Sequence, residues 1–293
     1  MQEHYVGKKE RYVEGITSSA SYKNQLFIND GLDRKLNYEL IKFEKCTFSK
    51  IGFREVKFNN TQFNHCVFIG CYFQQTKFKN ITFSNCIFIK CGFYNCDISF
   101  CDFFYTEWEN TVINYKDVKH SLPEKHNLRK KLCRKIANEW LKVGDFSEFK
   151  LFFFESKSAQ EQQYKAIFRR KEDYYKQRYD AVDSVINLFK YILSKFEKYV
   201  WGYGEKLNNV IWTSFIIITL FSGIYYFSPK LQVVTGNKVL TSLYISITYF
   251  LTLSCDITYT EPFYRIVTSI EGFFGIALMG FFVAALYRRI NSR

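Results

Sequence analysis

The sequence predicts a multidomain membrane protein in three parts: a square-sectioned β-coil, an α-helical middle and an all-α membrane module. Three observations predict it. A phenylalanine recurs at every fifth residue from Phe43 to Phe93, apolar spacing turns helical after Pro123, and uncharged runs appear after Asn208. The first of these runs, Val210 to Phe227, is long enough to cross a ~30 Å hydrocarbon layer. A chain of 293 residues can bury several cores, so its soluble-looking mean hydropathy has to be read by region.

The β-coil follows from the five-residue beat. Phe43, Phe48, Phe53, Phe58, Phe63, Phe68, Phe73, Phe78, Phe83, Phe88 and Phe93 keep it, and Ile98, Phe103 and Trp108 continue it. Two residues before each sits a smaller side chain, among them Ile41, Cys46, Val56, Thr61, Cys66, Cys71, Thr76, Cys86, Cys91, Cys96 and Cys101. An α-helix would smear such a period around its surface, whereas a square coil with one pentapeptide per side points both residues inward at every face. Four sides make a twenty-residue coil, so Phe43, Phe63, Phe83 and Phe103 should stack at the ~4.8 Å spacing of neighbouring strands. These residues resemble the pentapeptide-repeat family over residues 36–112, which implies a right-handed quadrilateral β-helix behind an N-terminal cap region, residues 1–35.

Nine cysteines in a chain without a signal peptide at its start point to a reducing compartment, where disulfides are not expected. Ladder neighbours such as Cys46, Cys66 and Cys86 point their Cβ atoms in parallel, and Ile, Val and Thr occupy equivalent places. Packing is therefore their role, with no metal or other cofactor. Some pentapeptide-repeat proteins mimic DNA with an acidic surface. Here the outward positions carry Lys45, Lys50, Arg54, Lys57, Lys77, Lys79 and Lys90, which disfavours that role.

Residues 113–205 read as a cytoplasmic helical linker. Leu128, Leu132, Ile136, Trp140 and Leu141 mark one apolar stripe that Gly144 ends, and Asp145 with Glu148 is a capping-box-like start for the next helix. The stretch "IANEWLKVGDFSEFKLFFFES" resembles a helical-hairpin repeat of the tetratricopeptide type. A further stripe, Val185, Leu188, Phe189, Ile192, Leu193, Phe196 and Val200, is flanked by Lys190, Lys195 and Lys198. Two readings stay open: a helix on the inner membrane surface, or a core helix of the cytoplasmic domain.

Residues 206–293 contain three weakly charged runs, Val210–Phe227, Val239–Cys255 and Ile266–Tyr287. Basic residues crowd Lys116 to Lys206 and return at Arg288, Arg289 and Arg293, which puts both termini on the cytoplasmic side. The middle run must then dip in and return, which is tolerated only where protein or a wet cavity supports the backbone. "LYISITYFLTLSCDITYTEPFYRIVTSIEGFFGIALMGFFVAALYRR", residues 243–289, resembles the two-transmembrane potassium-channel pore with its re-entrant pore helix. The likeness is nearest to bacterial chains joining pentapeptide repeats to such a pore, carried also by "YGEKLNNVI" at 203–211 and "IEGFFGIALMGFF" at 270–282.

The resemblance implies a homotetramer in the bacterial plasma membrane, in contact with lipid, conducting cations and gated through its cytoplasmic domains by an unidentified ligand or protein. The filter would be Thr252, Leu253, Ser254, Cys255 and Asp256; the inner-helix cavity or gate would be Glu271, Gly275, Met279 and Phe282. Both filter glycines of the potassium family are missing, so weak potassium selectivity is expected, with Asp256 favouring cations. The alternative is a membrane-anchored binding scaffold with a non-conducting pore module. His4, His65, His120 and His126 offer no metal spacing, and no phosphate loop or nucleophile elbow is present, so no enzyme is expected. The net charge of +13 comes without a nucleic-acid recognition motif, so nucleic acid is not an expected partner.

Overall fold

The computed structural model describes residues 9–12, 15–28, 36–170, 173–232, 236–253 and 256–291. The chain divides into two compact units, residues 1–184 and 185–293.

The first unit begins as a four-sided parallel β-solenoid. Each pentapeptide contributes a three-residue strand centred on its phenylalanine, and residues twenty apart pair in parallel, as Phe43 with Phe63 and Phe63 with Phe83. Among the described residues these strands form four sheets of six, three, four and five strands. The rings stack as the beat predicts, with Phe43–Phe63, Phe63–Phe83 and Phe83–Phe103 centroids 4.9, 5.1 and 5.2 Å apart and the ring planes nearly parallel. Each is fully buried, worth about 2 kcal/mol of transfer free energy.

Turning the chain at every side requires a left-handed residue every fifth position, with φ between 48° at Asn60 and 61° at Gly70. Asn60, His65, Gly70, Asn80, Asn85, Asn95 and Asn110 suit that conformation, which is strained for most L-residues. The corner amide is satisfied by the next coil, as in Lys45 N–H to Asn64 O at 2.9 Å and His65 N–H to Ser84 O at 2.8 Å.

The small inward residues do more than fill space. Cys66, Cys86 and Cys91 donate their thiols to the carbonyls of Phe43, Phe63 and Phe68, and the hydroxyls of Thr76, Thr111 and Ser121 do the same to Phe53, Phe88 and Ile98. Each donor reaches the carbonyl 23 residues earlier. Cysteine and threonine alternate here because both are compact and carry one donor.

Pairing also reaches upstream of residue 36. Ser21–Lys23 pairs with Lys42–Glu44, Gln25–Ile28 with Thr47–Ser49, and Lys9–Tyr12 with Gln25–Ile28. Tyr22 and Phe27 stack on Phe43 and Phe48 at 5.4 and 5.0 Å. Their offset is 21 residues instead of 20, which hides them from a strict five-residue count.

Helices close the far end. In chain order they are α1 (Tyr115–Val118), α2 (His126–Val143) and α3 (Phe146–Arg169), and α4 (Asp173–Arg178) follows them. An open sheet end leaves backbone groups without partners. Here Asn110 N–H donates to Glu139 at 2.8 Å, Tyr115 N–H donates to Glu148 at 2.7 Å, and the Trp140 indole donates to Ile113 O at 2.9 Å. Leu132, Ile136, Trp140 and Phe152 join the solenoid core. Gly144 ends α2 in a left-handed conformation at φ 88°, and Asp145 caps α3 by accepting from the Ser147 and Glu148 amides. Glu148 does not reach back to complete a capping box, because its carboxylate holds the solenoid's last turn.

Burial pushes the thiols of Cys96, Cys101 and Cys133 up to about 12, far from the reactive thiolate. All eight described cysteines are buried and free. In a Cys255→Ser protein none of these eight should react with a water-soluble disulfide reagent until the chain unfolds. Phe63→Ala, which empties the middle of one ladder, should destabilise the solenoid by about 3–5 kcal/mol in chemical denaturation followed by its β-sheet signal.

Candidate functional site

The second unit is built from α5 (Ala181–Val200), α6 (Leu207–Tyr226), α7 (Pro229–Gln232), α8 (Lys238–Phe250) and α9 (Pro262–Asn291), α5 contributing from Val185 onward. Two of them, α6 and α9, are long and apolar enough to cross a membrane. At about 1.5 Å per residue, the thirteen residues of α8 extend only ~20 Å, too short to cross. Asn237 caps α8 by accepting from the Val239 and Leu240 amides.

α8 packs against both α6 and α9, and polar groups fasten it there. Glu271 of α9 is fully buried. It accepts from the Tyr225 hydroxyl of α6 at 2.6 Å and lies 2.5 Å from the Ser246 hydroxyl of α8. Ser246 also sits 2.9 Å from Ile218 O, and its one proton serves one acceptor at a time. Ser222 and Ser242 pair at 3.0 Å, and Ser228 meets Tyr259 at 3.2 Å. Three helices thus meet on one carboxyl group, because an acid in an apolar bundle has to be hydrogen-bonded.

The second fastening is steric. A Cβ at Gly275 would fall inside the Phe250 carbonyl, so only glycine lets the last turn of α8 seat on α9. Gly272 faces the same turn, with Tyr249 O 3.6 Å from where its Cβ would be. Gly275 is therefore a point of close packing, whereas Gly280 faces open space.

Beyond Phe250 the chain turns at Thr252, which adopts a left-handed φ of 56°. Leu253 and Asp256 are exposed; Ser254 and Cys255 lie outside the described residues. Tyr249 pins the returning strand by donating to Ile257 O at 2.9 Å, and Tyr259 stacks on Tyr225 at 5.6 Å. Met279 and Phe282 are 41% and 37% exposed and lie toward the packed side of α9. The face opposite Glu271 and Gly275 carries Phe273, Ile276, Gly280, Ala284 and Tyr287, all exposed. Spacing of three and four residues marks this stripe in the sequence, although its mixture of aromatic and small residues hides it from a search for bulky gate residues.

Sequence reasoning also missed Tyr225 and the device at the other end of α9. Gly202, Tyr203 and Gly204 are all left-handed, at φ 58°, 58° and 86°, and reverse the chain between α5 and α6. Arg288 reaches this turn, 3.5 Å from Tyr203 O and 3.5 Å from Glu205, and Trp201 packs on Phe281 at 4.6 Å. No local pattern links residues 85 apart; only the fold brings them together.

Glu271→Ala should lower the thermal stability of the detergent-solubilised protein by about 1–3 kcal/mol through the stranded Tyr225 hydroxyl, since Ser246 keeps the Ile218 carbonyl as acceptor, and Glu271→Gln by less. Gly275→Val should cost at least as much, read in the same melting experiment, by prising α8 from α9.

Residues 43–87 match the family of pentapeptide repeats (9 copies). Among curated proteins none matches the chain. Similar solved structures include two trypsin-treated forms of QnrB1, a plasmid-mediated fluoroquinolone resistance protein, at 19% and 18% identity and TM-scores of 0.20 and 0.17. Each match covers 33% of this chain and 55% of the other, so the chain spans about half the length of those structures. The coil that closes on stacked phenylalanines is a pentapeptide-repeat β-solenoid, followed by a helical region with two helices able to span a membrane.

Proposed function

We propose that the chain is the subunit of a homotetrameric cation channel in the bacterial plasma membrane, with both termini cytoplasmic and α8 as a re-entrant pore helix. One observation carries this reading: α8 is too short to span, and its C-terminal turn is seated at Gly275, thirteen residues into the thirty of α9. That places the end of α8 about half way along a spanning helix. The eleven residues from Leu251 to Glu261 then suffice to return ~20 Å to the start of α9 at about 3.3 Å each. A polar, exposed segment held at that depth requires a wet axis, which copies of the bundle around a symmetry axis supply.

Asp256 at the end of this segment would ring the outer mouth and favour cations. Thr252 takes a left-handed conformation without glycine, and Leu253 follows it, so the stacked carbonyl cage that strips potassium of water has no counterpart in composition. The gate would lie on the unpacked stripe of α9 around Gly280, Ala284 and Tyr287. The cytoplasmic solenoid and helices would act on it through the Trp201–Lys206 turn.

Purified protein in planar bilayers should pass cation current. Between potassium on one side and sodium on the other, the reversal potential should stay near zero, well short of the ~59 mV that tenfold potassium preference produces. Asp256→Asn should reduce the preference for cations over chloride. Assembled tetramers that stay silent under all gradients would leave a membrane-anchored scaffold as the reading.

A further inference from the structure

The helix α5 turns the wrong face outward for a protein in water. Phe189 and Phe196 are 68% and 53% exposed, and Val185, Ile192, Leu193 and Tyr199 are exposed beside them. The buried stripe is instead polar: Asn187 and Ser194 are each only 8% exposed, and Ser194 meets the Tyr203 hydroxyl at 3.3 Å. Single exposed apolar side chains are ordinary, but a contiguous arc along about four turns is not.

From these observations we propose that α5 lies in the headgroup region of an anionic bilayer, with its apolar arc in the acyl boundary and Lys190 and Lys195 at lipid phosphates. At about 100° per residue, Lys190 and Lys195 fall on opposite margins of the arc centred on Phe189, where long side chains reach upward to headgroups. Asp183 and Glu197 flank Lys190, and with Lys198 the helix carries three lysines against these two acids, a net charge of +1. The same lysines disfavour pairing with α5 of a second copy, because they would confront each other across the seam. Continuity points the same way. α5 passes through the Trp201–Lys206 turn straight into α6, where Ile211, Trp212, Phe215 and Ile216 are exposed.

The inference rests on membrane insertion of α6 and α9, not on conduction. It is tested by site-directed spin labelling of full-length protein in nanodiscs containing phosphatidylglycerol, with Phe189→Cys, Leu193→Cys, Lys198→Cys and Ile216→Cys made singly on a Cys255→Ser background. Labels at 189 and 193 should resemble the label at 216, accessible to oxygen and shielded from a water-soluble nickel chelate, while the label at 198 should meet the chelate. Replacing phosphatidylglycerol by phosphatidylcholine should make the 189 label shallower, and Lys190→Gln with Lys195→Gln should abolish that difference. A lipid-facing 216 label with a chelate-accessible 189 label overturns the proposal. So do dipolar broadening between copies at 189 without oxygen access, and indifference to lipid charge. A chelate-accessible 216 label removes the membrane placement itself, and the channel reading falls with it.

Discussion

The stacking of one phenylalanine on another, about 5 Å apart on each side of the coil, is the constraint on which the first unit depends. It sets the twenty-residue repeat, because only that length returns a ring to the same side one strand spacing higher. It forces a left-handed corner every fifth residue and selects compact residues, Cys, Thr, Ile or Val, two places before most rings. Strain at the corners and burial at the rings are two consequences of one period. The coil has an end, and the carboxylates of Glu139 and Glu148 on the capping helices accept the amides that no further coil receives.

The second unit obeys a different constraint. Two of its helices are long and apolar enough to span a membrane, and between helices of that kind polar bonds and close backbone contact select the packing more than apolar burial does. Glu271 supplies the first by joining α6, α8 and α9, and Gly275 the second by admitting the Phe250 carbonyl. Both act on α8, the short helix packed against α6 and α9. Glu271, named from the sequence for the cavity or gate, is fully buried and hydrogen-bonded among these helices.

Much of this was legible in advance. Stacked ladders at Phe43, Phe63, Phe83 and Phe103, the stop at Gly144 and the apolar helices after Asn208 are local or periodic features, and periodicity survives in a single sequence. The first coil was not legible, since a one-residue insertion shifts Tyr22 and Phe27 off the beat. Nor was the partner of Glu271. Ser246 faces the acid, whereas Thr248, two residues on, bonds to the Tyr244 and Ile245 carbonyls of its own helix.

By itself the sequence determined what repeats: the sides of the coil, the inward residues and the apolar stripes of the helices, because each depends on neighbours a fixed number of positions away. The tertiary structure alone decided which face of α5 is buried, that Gly275 is a seat for Phe250, and that Arg288 reaches the Trp201–Lys206 turn. Those contacts join residues 25 to 85 positions apart, where chain connectivity imposes no spacing and only the packing of whole helices selects the pair.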